Sequence, residues 1–485
     1  MPRQTRIAIQ SNASSMTSRP PPRVEATRTY TLTLKRNSIF SAVEVIVNGL
    51  GLFFIYRGVV QHLGLSDLGV WSIVLATTAF GRAADVGIAA GLARFIATSN
   101  SRSRHDVSST YFSTALISIF ILMGVVALLG WMPLSYALQL TLDGASLSKA
   151  NDLLPWALLT FWLLNLNAVV AAALLGIQRS DLRATASIAG MALQVFASHA
   201  LVSTHGLEGL AWAQAAQYVL SLSLGFAAIR WASSIRVSAA INRPALKELI
   251  GFGAKLQAGT IANLVFEPTC KLILGAVSGP AAVGLFEMAY RMVYQVRGIA
   301  VMSAQNLVPA FASAIQDGPS ELAKVFGRGT RACAVASTIL MCGVMVGSPL
   351  ASKLWLGHVA PLFCQLTAIL CVCWAINIIS APSYFLGIAR GTVNANISGQ
   401  ILTALLAPAL AYALGLQGGI VLATVGIAAG KIAGDILPLM LNRPNGTTTQ
   451  AAALNFSFIA ATSCAVLCAV GVYLGSPSLS SILSL

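Results

Sequence analysis

Eleven ionisable side chains stand inside long apolar runs of this sequence: Glu44, Arg82, Asp85, Lys255, Glu267, Lys271, Glu287, Arg291, Arg297, Lys431 and Asp435. A charge at the centre of a membrane-spanning helix costs about 2.5–3.5 kcal/mol on insertion scales, so such groups pair, face water or line a transport path. Their spacing is not random. Glu267 and Lys271 are four residues apart, as are Glu287 and Arg291, and Lys431 and Asp435; Arg82 and Asp85 are three apart. These spacings put opposite charges on one helix face. Each pair admits two readings, local neutralisation or the lining of a cavity. For Glu267–Lys271 and Glu287–Arg291 the cavity is favoured, because the pairs fall on consecutive runs and Pro268 frees a backbone carbonyl beside Glu267.

Arginine stays protonated in proteins, so Arg82, Arg291 and Arg297 must face a partner, water or an anion. Arg297 has no carboxylate three or four residues away. A cationic cleft built from Arg82, Arg291, Arg297 and Lys271 would suit a phosphate or pyrophosphate. Glu267, Glu287, Asp85 and Glu44 are the candidates for handling a coupling ion. Other chemistry is scarce. GAK at 253–255 and GK at 430–431 lack the spacing of a phosphate-binding loop. The histidines are scattered; His199 falls within an apolar run and reads as a satisfied core histidine. The eight cysteines show no metal-site spacing and read as buried thiols. No metal or cofactor is expected, beyond an H⁺ or Na⁺ gradient.

The elements that must hold these charges are helices in a bilayer. Hydrophobic residues make up 56% of the chain and charged residues 9%, against roughly 25% charged in soluble domains. Mean hydropathy is +0.77. The apolar runs are long enough for spanning helices and do not alternate as barrel strands do. Thirteen candidate spans follow: 39–60, 68–90, 111–131, 153–176, 182–202, 207–229, 250–276, 281–311, 332–352, 361–386, 392–414, 418–440 and 452–474. The net charge of +15 would suggest nucleic acid in a soluble protein, but position decides here. Twenty-one of the 30 Lys and Arg fall in the N-terminal tail and alternate loops, whereas the opposite loops hold only Arg57, Lys149 and Lys353. That asymmetry predicts a cytoplasmic N-terminus and excludes a nucleic-acid role. Trp131, Trp156, Trp231 and Trp355 near span ends fit interfacial belts.

GLSDLGVW at 64–71 and GPAAVGLF at 279–286 share the pattern Gly, four residues, Gly, apolar-aromatic pair, at an offset of 215. The same offset relates Arg82 to Arg297 and the first two spans to the seventh and eighth. Six spans separate the copies, which predicts a parallel repeat. The domains expected are a disordered basic tail 1–37, a six-helix bundle 38–229, a cytoplasmic linker 230–249, a second six-helix bundle 250–440, and an extra spanning helix with a short tail, 441–485.

LGLSDLGVWSIVLATTAFGRAADVGIAAGLARFIA (63–97) resembles the opening of polysaccharide repeat-unit flippases of the Wzx type, which show "lG…yGlyal" and then "dlGig…l.ryia". GPAAVGLFEMAYRMVYQVRGIAVMSAQNLVPAF (279–311) is similar to their eighth helix, "Gp.avGlY..Ayrl" with a closing proline. LIGFGAKLQAGTIANLV (249–265) is similar to the helix before it. The superfamily also holds MATE drug exporters and the lipid II flippase. The resemblance implies an all-α MATE-like fold of two six-helix bundles around a cleft. It also implies an undecaprenyl-pyrophosphate-linked oligosaccharide as cargo, moved from the cytoplasmic to the periplasmic leaflet of the bacterial inner membrane, with a polysaccharide polymerase and glycosyltransferases as partners and no enzyme activity. A monomer is expected, since one chain can enclose the path. The alternative is a MATE-type exporter of organic cations, which calls for carboxylates dominating the cleft. A membrane glycosyltransferase would need a larger acidic loop than 132–152 supplies.

Overall fold

The computed structural model describes residues 23–84, 87–101, 105–257 and 261–444. Twelve α-helices and one 3-10 turn make up the described chain: α1 (Arg23–Leu63), α2 (Leu65–Ala79), the turn Phe80–Ala84, α3 (Ile88–Ser101), α4 (His105–Gln139), α5 (Gly144–Gly176), α6 (Ser180–Ala232), α7 (Arg243–Gln257), α8 (Ile261–Ala304), α9 (Leu307–Asp317), α10 (Pro319–Leu356), α11 (Pro361–Arg390) and α12 (Asn394–Leu441). Eight of the helical stretches are long and apolar enough to cross a bilayer.

Three of these helices are hairpins. At 1.5 Å per residue, the 53 residues of α6, 44 of α8 and 48 of α12 far exceed the ~30 Å hydrocarbon core. Each reverses at a glycine with positive φ, namely Gly206, Gly279 and Gly419, a conformation that side chains resist. The returning arms touch: Ser221 Oγ donates to the Ala186 carbonyl across α6, and Lys271 reaches Glu287 across α8. Counting each arm, and α2 with α3 as one broken segment, gives twelve crossings among the described residues. The expected thirteenth, 452–474, lies outside them.

Helices α1 to α6 form one set, within which all but α2 pack chiefly on one another, and α8 and α10 to α12 form a second. The two sets meet mainly through α2 and the second arm of α8. That crossing uses the paired glycines of the repeat. A Cβ on Gly69 would sit 1.6 Å from the Pro280 carbonyl oxygen, and one on Gly284 would sit 2.3 Å from the Leu65 carbonyl oxygen. The contact lies at the end where α1 meets α2, called the Gly64 end below. There one apolar core runs through both sets, from Val59, Leu68 and Ile73 to Val283, Phe286 and Leu366. At the opposite end a second core belongs to the first set alone, with Phe112, Val169 and Ile229, and Leu249 of α7 joining it. Side chains such as Leu128, Met132, Phe196 and Val346 are more than 70% exposed, as lipid-facing positions require.

Four expectations need correction. The second span is not one helix: α2 stops at Ala79, becomes a 3-10 turn and resumes at Ile88 beyond Gly87, whose φ is +74°. The expected tail 1–37 is helical from Arg23. The linker expected at 230–249 is irregular only over 233–242, where Arg236, Ser238 and Asn242 donate their backbone N–H groups to Ser109, Ser113 and Thr114 of α4. Helix α7 then packs on α3 and α4 of the first set. Trp355, expected at the interface, is buried, and its indole donates to the Phe53 carbonyl; Trp131 and Trp231 are exposed.

Candidate functional site

The spacing Glu267–Lys271 and Glu287–Arg291 places four charges on facing arms of the α8 hairpin, and the arms bring them into one network. Lys271 Nζ lies 2.6 Å from Glu267 Oε1 and 2.6 Å from Glu287 Oε2. Arg291 donates from Nε to Glu287 Oε1 at 2.7 Å and from Nη2 to Glu267 Oε1 at 2.9 Å. The pairs neutralise charge along each arm and also close across the hairpin. Lys271 and Glu287 keep only 4% of their side chains exposed. The first set of helices completes the network, with Tyr56 OH donating to Glu287 Oε1 at 2.8 Å and Ser72 Oγ to Oε2 at 3.1 Å. Glu287 thus accepts from both halves of the molecule.

Neither Tyr56 nor Ser72 was among the sequence candidates, because neither is charged. The signal existed in the repeat. At the offset of 215, Ser72 stands where Glu287 stands, and Tyr56 where Lys271 stands.

Two cavities flank it. The first lies between the two sets, measures about 440 Å³, and is lined by Arg82, Lys271, Arg291 and Glu267 with Gln214 and Tyr218. Among the described residues three cations meet one carboxylate there, and that carboxylate already bonds two of them. The second cavity, about 320 Å³, lies inside the second set, between α8, α11 and α12. Arg297 lines this one. The two cavities share Glu267 and Tyr294 in their walls.

So the expected quartet does not line one cleft. Arg82, Lys271 and Arg291 come together; Arg297 does not join them. Arg82 sits on the 3-10 turn, whose tighter winding turns it differently from Arg297 on the unbroken second arm of α8. Arg297 donates from Nε to Asn377 Oδ1 at 2.7 Å, and its guanidinium lies 4.9 Å from the Trp374 ring centre and 5.3 Å from that of Tyr294. Lys431 and Asp435 pair as spaced, and Asn377 Nδ2 also donates to Asp435. Among the ion-coupling candidates, Glu267 and Glu287 are in the network. Glu44 is not: Arg183 holds both its oxygens, beside a separate cavity between α1, α5 and α6. Asp85 lies outside the described residues. His199, expected in the core, is exposed near His62 at the Gly64 end. The six described cysteines are free, and no group of three or more His, Cys, Asp or Glu suited to a metal forms among the described residues.

A helical hairpin fold with a charged cleft between two sets of helices defines the class, an all-helical membrane protein of MATE-like architecture. Residues 62–359, more than half of the chain, match the model of the family described as polysaccharide biosynthesis protein, and the chain belongs to that family. Its fold is similar to that of an inward-facing multidrug resistance MATE transporter of the MOP superfamily (TM-score 0.73, 15% identity, 84% of this chain and 96% of that one). It is also similar to the lipid II flippase MurJ in an inward closed conformation (0.65, 12%, 93% and 99%). A third similar structure is a MOP superfamily transporter from Pyrococcus furiosus, described as having a binding pocket of reversed polarity (0.59, 15%, 85% and 94%). No curated protein sequence matches the chain.

Proposed function

We propose that this protein flips an undecaprenyl-pyrophosphate-linked oligosaccharide repeat unit from the cytoplasmic to the periplasmic leaflet of the bacterial inner membrane, for polysaccharide assembly. The observation that carries the reading is the charge of the cleft between the two sets. Among the described residues, Arg82, Lys271 and Arg291 face it with Glu267 as the one opposing carboxylate, and Glu267 is already bonded to Lys271 and Arg291. A diphosphate with several acidic oxygens satisfies such donors. Among the described lining residues an organic cation would meet only Glu267, already bonded to two protein cations, which counts against drug export.

In this reading the N-terminus is cytoplasmic, following the positive-inside asymmetry, so the Gly64 end faces the periplasm. The cleft receives the pyrophosphate from the cytoplasmic side, with the polyprenyl chain left in the bilayer. The α2–α8 crossing at Gly69 and Gly284 then opens while the other end closes, in alternating access. Glu267 is the proposed site of the coupling ion, because a proton or Na⁺ there competes with Arg291 for the same oxygen. The protein acts as a monomer, handing its cargo from glycosyltransferases to a polymerase.

The test is deletion of the gene in its host, followed by extraction of lipid-linked oligosaccharide. The expected outcome is loss of surface polymer with repeat units accumulating on the cytoplasmic face. Restoration with Arg82→Ala or Arg291→Ala should lower export about tenfold, the equivalent of one charge-assisted contact, at unchanged membrane abundance. Normal polymer in the deletion strain with increased sensitivity to cationic drugs would overturn the reading in favour of drug export.

A further inference from the structure

The cavity inside the second set differs in chemistry from the cleft beside it. Its wall combines rings with uncharged hydrogen-bonding groups: Tyr294, Tyr384 and Trp374, with Asn377, Asn396 and Gln400. Its charges are largely answered within the protein. Lys431 pairs with Asp435, and Glu267 is held by Lys271 and Arg291. Arg297 has an amide for a partner rather than a carboxylate.

Three buried polar atoms in this wall have no hydrogen-bond partner: Asp435 Oδ2, Gln400 Oε1 and Trp374 Nε1. Their neighbours show that this is not disorder of the side chains. Asp435 Oδ1 accepts from both Lys431 and Asn377, and Gln400 Nε2 donates to Tyr384 OH. Buried polar groups in folded proteins are almost always satisfied; these three atoms lie just behind the cavity surface, with under 1 Å² accessible each, and a small side-chain rotation turns them toward a ligand. Two of the three are acceptors, and they call for a ligand that donates. A phosphate or pyrophosphate at neutral pH has few protons to give, and quaternary cations have none. A sugar offers oxygens to Arg297 and C–H faces to the tyrosine rings. It also offers hydroxyl donors to Asp435 and Gln400 and an oxygen to Trp374 N–H, once those three side chains rotate toward it. An organic cation is disfavoured again, since Arg297 and Lys431 already lie over Trp374 at 4.9 and 5.5 Å.

We propose that this cavity, between α8, α11 and α12, is a glycan chamber that holds the sugars next to the pyrophosphate while the neighbouring cleft holds the pyrophosphate itself. The inference rests on the flippase reading above and adds the place and chemistry of sugar recognition. Shared walls make it geometrically simple: Glu267 and Tyr294 line both cavities, and the pyrophosphate and first sugar of such a cargo are joined by a single glycosidic bond. A volume of about 320 Å³ sits at the small end of ligand cavities, suited to the head of a glycan rather than to an extended chain. Arg297 then contributes to sugar selection, not to pyrophosphate binding.

The experiment uses the full-length protein in detergent and two soluble probes. One is the oligosaccharide released by mild acid from the host's polyprenyl-pyrophosphate fraction; the other is inorganic pyrophosphate. Each is titrated calorimetrically into wild type, Gln400→Leu, Tyr384→Ala and Arg82→Ala. The chamber variants should weaken oligosaccharide binding about tenfold or more and leave pyrophosphate binding in place, which also shows that they are folded. Arg82→Ala should do the reverse. Wild-type oligosaccharide affinity in both chamber variants would overturn the glycan chamber while leaving the flippase reading standing on the pyrophosphate result. Loss of pyrophosphate and not of oligosaccharide in the chamber variants would also overturn it, since the chamber would then be part of the anion site. Binding of neither probe by wild type would remove both proposals together.

Discussion

At the residue scale the molecule is organised around Glu287. Four side chains reach it, two from each half: Lys271 and Arg291 beside it, Tyr56 and Ser72 across the interface. Breaking a buried charge pair leaves the partner uncompensated, which costs far more than the pair itself contributes. Glu287→Gln should therefore destabilise the protein by about 3 kcal/mol, read as earlier thermal unfolding in detergent. Combining it with Lys271→Met should cost less than the sum of the two single changes, because the stranded cation is gone; additive losses would refute the coupling. Glu267 is different. It lines both cavities and is the more exposed carboxylate, at 26% of its side chain against 4% for Glu287. Glu267→Gln should leave export of the cargo insensitive to a collapsed proton gradient in inverted vesicles, and retained sensitivity would assign coupling elsewhere.

At the element scale, the α2–α8 crossing is the contact most sensitive to a single atom. Gly69 and Gly284 bring the two backbones together with no room for a Cβ, and helices approach this closely only through small residues. Gly69→Val cannot be absorbed by side-chain movement, because the obstacle is the Pro280 carbonyl. The two sets must part at the Gly64 end. The expected result is reduced export together with faster labelling of Ala76→Cys by an impermeant thiol reagent added from the periplasmic side, in a background lacking the native cysteines. Unchanged labelling would mean that the crossing does not act as the gate. The broken second segment belongs to this scale too. The 3-10 turn Phe80–Ala84 separates Arg82 from its repeat partner Arg297, so that one half of the repeat faces the cleft and the other its own chamber.

At the scale of the whole molecule, the described chain crosses twelve times, with three of the turns made at glycines inside continuous helical stretches. Orientation can be read with alkaline-phosphatase fusions, which are active only outside the cytoplasm. Fusions after residues 142 and 206 should be active and those after 178 and 238 inactive; the opposite pattern would invert the membrane placement and the direction of transport with it. The end of the molecule opposite Gly64 then lies on the side that carries most of the lysines and arginines, as entry of an anionic cargo made in the cytoplasm requires.

The sequence alone determined the class and the plan of the fold. Long apolar runs and few charges require spanning helices, because only such helices satisfy backbone groups in lipid, and the alternating loop cations supply the expected orientation. It also determined which helices pair within themselves, since three- and four-residue spacing is a local property: Glu267–Lys271, Glu287–Arg291 and Lys431–Asp435 all form as spaced. Tertiary structure decided what local periodicity cannot carry. The cross-links Lys271–Glu287 and Arg291–Glu267 depend on how α8 folds back at Gly279. Tyr56, Ser72, Asn377 and Gln400 entered only through contacts distant in sequence, being neutral groups whose insertion cost is smaller than a charge's and common enough not to mark them. The division of Arg82 and Arg297 between two cavities, and the removal of Glu44 to Arg183, followed from helix rotation and neighbour identity. Those are set by packing between elements, and no spacing along a single helix encodes them.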